Sequence, residues 1–207
     1  MKKGPVNVTN RHSHGHFKHK ELPLMINSKI ELEHAFSALQ GKLITSVWYK
    51  GKTAISEVHH SAEEGIFFEL SNGEVFHIYP GDELNQKLIH GIYIKQIKHW
   101  EKERRYFKKI ENVSEVWGHF LGKEIQLIRL NWEIIGNHTR GYGYPKSLSD
   151  YAHGVEFKVK DEPLVYLDVM KVFDDNTKAT LGYPEITVFF DSEIRRKQIE
   201  RFRIYQL

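Results

Sequence analysis

Histidines and carboxylates are the side chains through which this chain could do chemistry, since its 207 residues include 13 histidines and no cysteine. Lack of cysteine excludes disulfide frameworks, thiolate zinc centres, iron–sulfur clusters and thiol nucleophiles together. His59 and His60, and further on His138 and His153, have Glu57, Glu63, Glu64 and Asp150 near them in sequence. That donor set would suit a divalent metal in a hydrolase or nuclease. Spacing argues against it, because adjacent histidines on a strand point to opposite faces and no H-E-x-x-H helix occurs. Ser46, Ser56, Ser61 and Ser147 lie in no G-x-S-x-G elbow, so no serine triad is indicated. Glu63-Glu64 and Asp174-Asp175 sit in turn-forming contexts and read as solvated carboxylates. The expectation is therefore no catalytic residue, no metal and no cofactor.

Recognition has a better candidate. The stretch Gly136 to Pro145 combines three glycines with His138, Arg140, Tyr142 and Tyr144. Tyrosine and arginine bring large contact area and directional hydrogen bonds at low entropic cost, so these four residues are the expected partner-binding set. Gly141-Tyr142-Gly143 is no phosphate fingerprint, because it lacks the preceding strand, the glycine spacing and the following helix. Two basic runs offer a nucleic-acid alternative, in which Lys98, Lys102, Arg104, Arg105, Lys108 and Lys109 alternate with Trp100, Tyr106 and Phe107. Arg195, Arg196, Lys197, Arg201 and Arg203 likewise surround Ile194, Ile199 and Phe202. Basic plus aromatic residues can hold phosphates and stack bases. Glu101, Glu103, Glu111, Glu193 and Glu200 offset that charge, so both runs read first as amphipathic helices with solvated faces.

The elements that must position these residues follow a repeated order. Ile30, Leu32, Ala35, Phe36 and Leu39 form a helical stripe closed by Gly41, and Ser28 with Glu31 makes a capping box. Val116, Trp117, Phe120 and Leu121 form a second stripe closed by Gly122. A β-rich run follows each glycine, Leu43 to Tyr49 and Glu124 to Trp132. A loop and then a hairpin come next in both cases. In the first, Ile66, Phe68 and Leu70 are the inward set and Asn72-Gly73 predicts a type I′ turn; in the second, Val155, Phe157 and Val159 point inward and Asp161-Glu162-Pro163 makes a different turn. Further strands are expected at Gly91 to Ile97, Val165 to Val172 and Ile186 to Phe190, and the charged segment Lys98 to Lys109 reads as a helix joining the halves.

These parallels predict an α+β chain built by internal duplication of a short helix followed by antiparallel strands. A His-rich basic tail or tag over residues 1–24 precedes a first helix-plus-sheet unit over 25–110 and a second over 111–207. The net charge is +3, yet the tail's Lys2, Lys3, Arg11, Lys18 and Lys20 outnumber its Glu21 by four, which leaves the body slightly acidic. A body of that charge gives no general attraction to nucleic acid. No apolar run is long enough to span a membrane and no secretory signal is evident, so a cytoplasmic setting is expected.

The pattern L-x-G-K-x-I over Leu39 to Ile44, followed by a strand, Asn-Gly, strand hairpin over Ile66 to Ile78, resembles several small bacterial immunity and accessory proteins. The resemblance implies a non-catalytic protein-binding module that neutralises a partner toxin by occluding its active site. It carries over no functional residue.

Overall fold

Leu32, Phe36 and Leu39 recur at helical spacing and are all buried, which fixes how the first helix docks. A computed structural model describes residues 29–82, 90–106, 108–109, 115–134, 150–172 and 179–204. In chain order the elements are α1 (Lys29–Ser37), β1 (Ile44–Tyr49), β2 (Thr53–Ile55), β3 (His59–Ala62), β4 (Ile66–Leu70), β5 (Val75–Asp82), β6 (His90–Gln96), α2 (Trp100–Glu103), β7 (Lys108–Lys109), α3 (Glu115–Phe120), β8 (Ile125–Ile134), β9 (Asp150–Val159), β10 (Leu164–Val172), β11 (Ala179–Phe189) and α4 (Ser192–Ile204). The fold is α+β, with two antiparallel sheets and few helices. Sheet 1 has the order β6-β5-β4-β1-β7 and sheet 2 the order β2-β3-β11-β10-β9-β8.

The two sheets pack face to face through β5 and β6 on one side and β9, β10 and β11 on the other. Alternation along each strand decides which residues meet there. Val47 and Tyr49 of β1, Ile66, Phe68 and Leu70 of β4, Ile78 of β5 and Ile92 and Ile94 of β6 join Val155, Phe157 and Val159 of β9 and Ile186 and Val188 of β11 in one core. Both predicted inward sets are thus inside. The helix α1 bridges β6 and β8, the far strands of the two sheets, while Trp117 and Phe120 of α3 enter the same core. On the opposite face of sheet 1, Trp100 of α2 packs on Phe67 and Val75; on the opposite face of sheet 2, Ile194 of α4 packs with Tyr166, Met170, Val172 and Phe189.

Where each helix gives way to its strand, Gly41 and Gly122 take φ of 76° and 72°, the left-handed region in which a side chain is strained. The two turns lock together reciprocally. Gly41 N donates to Ile125 O at 2.8 Å and Gly122 N to Ile44 O at 2.7 Å, while Leu43 and Glu124 form an antiparallel bridge between them.

Three local expectations are corrected. At the first hairpin only Gly73 has positive φ (80°); Gly73 N donates to Leu70 O and Leu70 N to Glu74 O, which makes a longer turn with Gly73 in the left-handed position instead of a type I′ pair. Asn72 stays right-handed because its side chain is occupied, accepting from Glu74 N and donating to the Glu74 carboxylate. The charged joining segment is not one helix: α2 spans four residues, a 3-10 turn covers Arg104–Tyr106, and the chain then becomes β7, pairing Lys109 with Trp48 and Lys108 with Tyr49. The unused edge of β1 captures the backbone there. Third, the loop expected after β1 contains the β2–β3 hairpin, and β3 pairs with β11 from Ala62↔Ile186 to His59↔Phe189, so the first half supplies two strands to sheet 2.

Candidate functional site

Buried polar groups mark where this molecule concentrates chemistry, and three sets of them stand out among the described residues. The first lies between the sheets. Trp117 Nε1 donates to Tyr49 Oη at 2.8 Å, and Tyr49 Oη stands 2.9 Å from His60 Nδ1. The hydroxyl accepts from tryptophan and shares a hydrogen bond with the His60 ring, linking the two. Burial, helped by the neighbouring His59, lowers the His60 pKa to about 4, and burial pushes the Tyr49 hydroxyl far above its ordinary range. Phe190 closes the other side with edge-on contacts to His60 and Trp117. His59 points the opposite way, toward Phe189, as the alternation of a strand requires.

A second set lies on the other face of sheet 1. His77 stacks on Phe67 with centroids 4.1 Å apart and on Tyr79 at 4.9 Å, and its Nε2–H donates to Glu64 O at 2.7 Å. Burial lowers its pKa to about 3; the Glu64 carbonyl pulls upward, and Lys95 and Lys50 push down. The third set is ionic. Asp168 on β10 is fully buried and receives a two-pronged bond from Arg195 of α4, Nε to Oδ2 at 2.6 Å and Nη2 to Oδ1 at 2.9 Å. Arg195 also stands 3.7 Å from Glu156 and lies 4.7 Å over the Tyr166 ring. Burial works against its charge, yet the bonds to Asp168 outweigh it and hold the guanidinium above its ordinary range. A side chain at Gly154 would collide with the Asp168 carboxylate, so that position leaves room for the pair. All three sets tie elements of the fold together, and the polar atoms named are bonded within the protein.

An open concave surface lies elsewhere. Glu33, Phe36, Ser37 and Gln40 share one face of the α1 segment, and Ile128, Leu130 and Trp132 share one face of β8. Together with Arg129 they line a groove of about 310 Å³. Gln40 Nε2 donates to Gln126 O at 3.0 Å and closes one end, while the Lys29 ammonium sits 4.9 Å from the centre of the Trp132 ring. Alongside, Leu127 is 46% exposed and the Arg129 side chain 68% exposed. Among the described residues, no three histidine, aspartate or glutamate side chains gather as a metal site.

The expected partner-binding residues His138, Arg140, Tyr142 and Tyr144 lie outside the described residues, in the segment that joins β8 to β9. Sequence reasoning passed over both Asp168 and Arg195. A lone carboxylate inside the apolar run Val165-Tyr166-Leu167-Asp168-Val169-Met170 is a signal of a buried ion pair that was available. The charge pattern places Arg195 on a solvated helix face; its side chain is 14% exposed instead, because Asp168 draws it onto the sheet. The solvated reading does hold for Arg104 with Glu101 and for Lys197 with Glu193, exposed pairs within one helical turn. No family model, no curated protein and no solved structure matches this chain. Among the described residues, no helix is long and apolar enough to cross a membrane.

Proposed function

We propose that this chain is a non-catalytic protein-binding module of the immunity type, which docks a partner polypeptide along the α1–β8 groove and so occludes it, a toxin being the partner class. The groove carries the reading: apolar walls from Phe36, Ile128, Leu130 and Trp132, polar rims from Lys29, Glu33 and Arg129, and exposed Leu127 beside it have the composition of a recognition surface. The strongest acid–base groups support it from the other side, since His60, His77 and Asp168 are buried and engaged with protein atoms rather than facing a cleft. His138, Arg140, Tyr142 and Tyr144, in the segment after β8, are proposed to take part in partner binding.

The same proposal takes the two halves, 25–110 and 111–207, as copies of one ancestral unit. Supporting it are the shared order of helix, left-handed glycine, lysine and strand, and two four-stranded meanders, β1-β4-β5-β6 and β8-β9-β10-β11. The cytoplasm is the proposed setting.

Co-expression with the product of the adjacent coding region tests the reading. A stoichiometric complex is expected, weakened tenfold or more by Ser37→Arg, which would fill the groove from an exposed position of α1. A chain that binds no neighbouring product, or one whose complex ignores Ser37→Arg, overturns it.

A further inference from the structure

The strands β1 and β8 hold equivalent places, each following a helix and a left-handed glycine and each starting a four-stranded meander. Their outer edges differ. Beyond β1 lies β7, antiparallel, pairing through Trp48↔Lys109 and Tyr49↔Lys108. Beyond β8, among the described residues, no strand is paired: α1 flanks it across the groove, residues 41–43 contact its start, and Gln40 donates to Gln126 O. Between two register shifts, Leu127 to Asn131 pairs regularly with β9 and offers an evenly spaced edge. An edge of this kind is a template for another strand.

Resting on the protein-binding reading above, we propose that β8 is completed by an extended segment of a different protein, added antiparallel as β7 is added to β1, with alternating apolar residues and an acidic side chain opposite Arg129. The charge pattern selects that chemistry. Arg129 Nη1 lies 3.8 Å from Glu156, too far for a hydrogen bond, and Glu156 also faces Arg195 at 3.7 Å. The Arg129 guanidinium therefore has donors for an incoming carboxylate. Leu127 supplies exposed apolar surface on the same strand face, and Ile128 and Leu130 supply it on the groove side. A second copy of this chain fits poorly, because symmetric antiparallel pairing of residues 127–131 is centred on residue 129 and sets the two Arg129 side chains against each other.

The test selects binders from a displayed library of random ten-residue peptides on the full chain. Enriched sequences should alternate apolar residues with an acidic one, and should shift the amide resonances of Gln126 to Trp132. N-methylation of alternate amides in a selected peptide should weaken it tenfold or more, and so should Leu127→Lys. Arg129→Glu should turn the preference from acidic to basic peptides; both side chains are exposed, so the fold tolerates the changes, which circular dichroism checks. Three outcomes overturn the proposal: no enrichment, binding indifferent to N-methylation and to Leu127→Lys, or amides of Leu127 to Asn131 all protected in the free chain by self-association or by its own residues. If a neighbouring-gene complex forms and ignores Leu127→Lys and Arg129→Glu but responds to Ser37→Arg, the binding-module reading stands and strand addition alone falls.

Discussion

The strands β1 and β8 start from similar local sequence and meet different fates. β1 is an interior strand of sheet 1, flanked by β4 and β7, while β8 ends sheet 2. The consequence is visible in burial: Val47 and Tyr49 of β1 are at most 1% exposed, whereas Leu127 of β8 is 46% exposed and Ile128, Leu130 and Trp132 are only half-buried. A helix, a glycine and a β-rich run specify a strand, but neighbours far away in sequence decide whether it is core or surface. The sheets also differ in how they bury polar groups. Sheet 1 does so with neutral rings, Tyr49 and His77, and sheet 2 adds to the neutral ring of His60 the charged pair Asp168–Arg195.

Breaking the ionic anchor of sheet 2 should have the largest effect. Asp168→Ala leaves Arg195 of α4 with only the longer contact to Glu156 and should cost about 3–5 kcal/mol in urea unfolding. Acid should act next, and mainly on the histidines. Their folded pKa values lie below the unfolded value, so above pH 6.5 their contribution is fully present; as pH falls the unfolded state binds more protons and stability declines, down to about pH 4 for His60 and about pH 3 for His77. Denaturation midpoints at pH 7 and pH 4 should differ by about 3 kcal/mol or more. His60→Gln should flatten part of that slope, and an unchanged slope would break the assignment of the loss to His60.

Tyr49→Phe keeps the ring but strands Trp117 Nε1 and His60 Nδ1, at a cost of about 2 kcal/mol. A cost near zero would mean that the link between β1, β3 and α3 is packing alone. Smallest of all, Leu127→Lys should change stability by no more than about 0.5 kcal/mol, because its site is on an exposed edge. The same substitution at Val47 should unfold the chain, and similar values at the two positions would erase the contrast between β1 and β8.

Local pattern made several parts of this architecture legible. Hydrophobic spacing located α1 and α3, the glycines after them, the strands that follow and the inward residues of both hairpins. What was not legible depended on distant pairing. His59-His60-Ser61-Ala62 has little strand propensity by itself, yet three of its four residues are polar and all are buried, because β11 pairs with it. Lys108–Lys109 reads as helix from local sequence, since nothing nearby announces the vacant edge of β1. The groove is assembled from residues 33–40 and 128–132, a juxtaposition that no spacing rule reports.

The pairing of β3 with β11 also has a consequence during synthesis. Ala62 waits for Ile186, 124 residues later, before its strand has a neighbour on that side. As the chain leaves the ribosome, the β2–β3 hairpin therefore protrudes from a first half that can complete only its own sheet. Closing so large a loop comes late and slowly. A nascent chain stalled before residue 179 should be open to proteolysis around His59, and release of β11 should close that window.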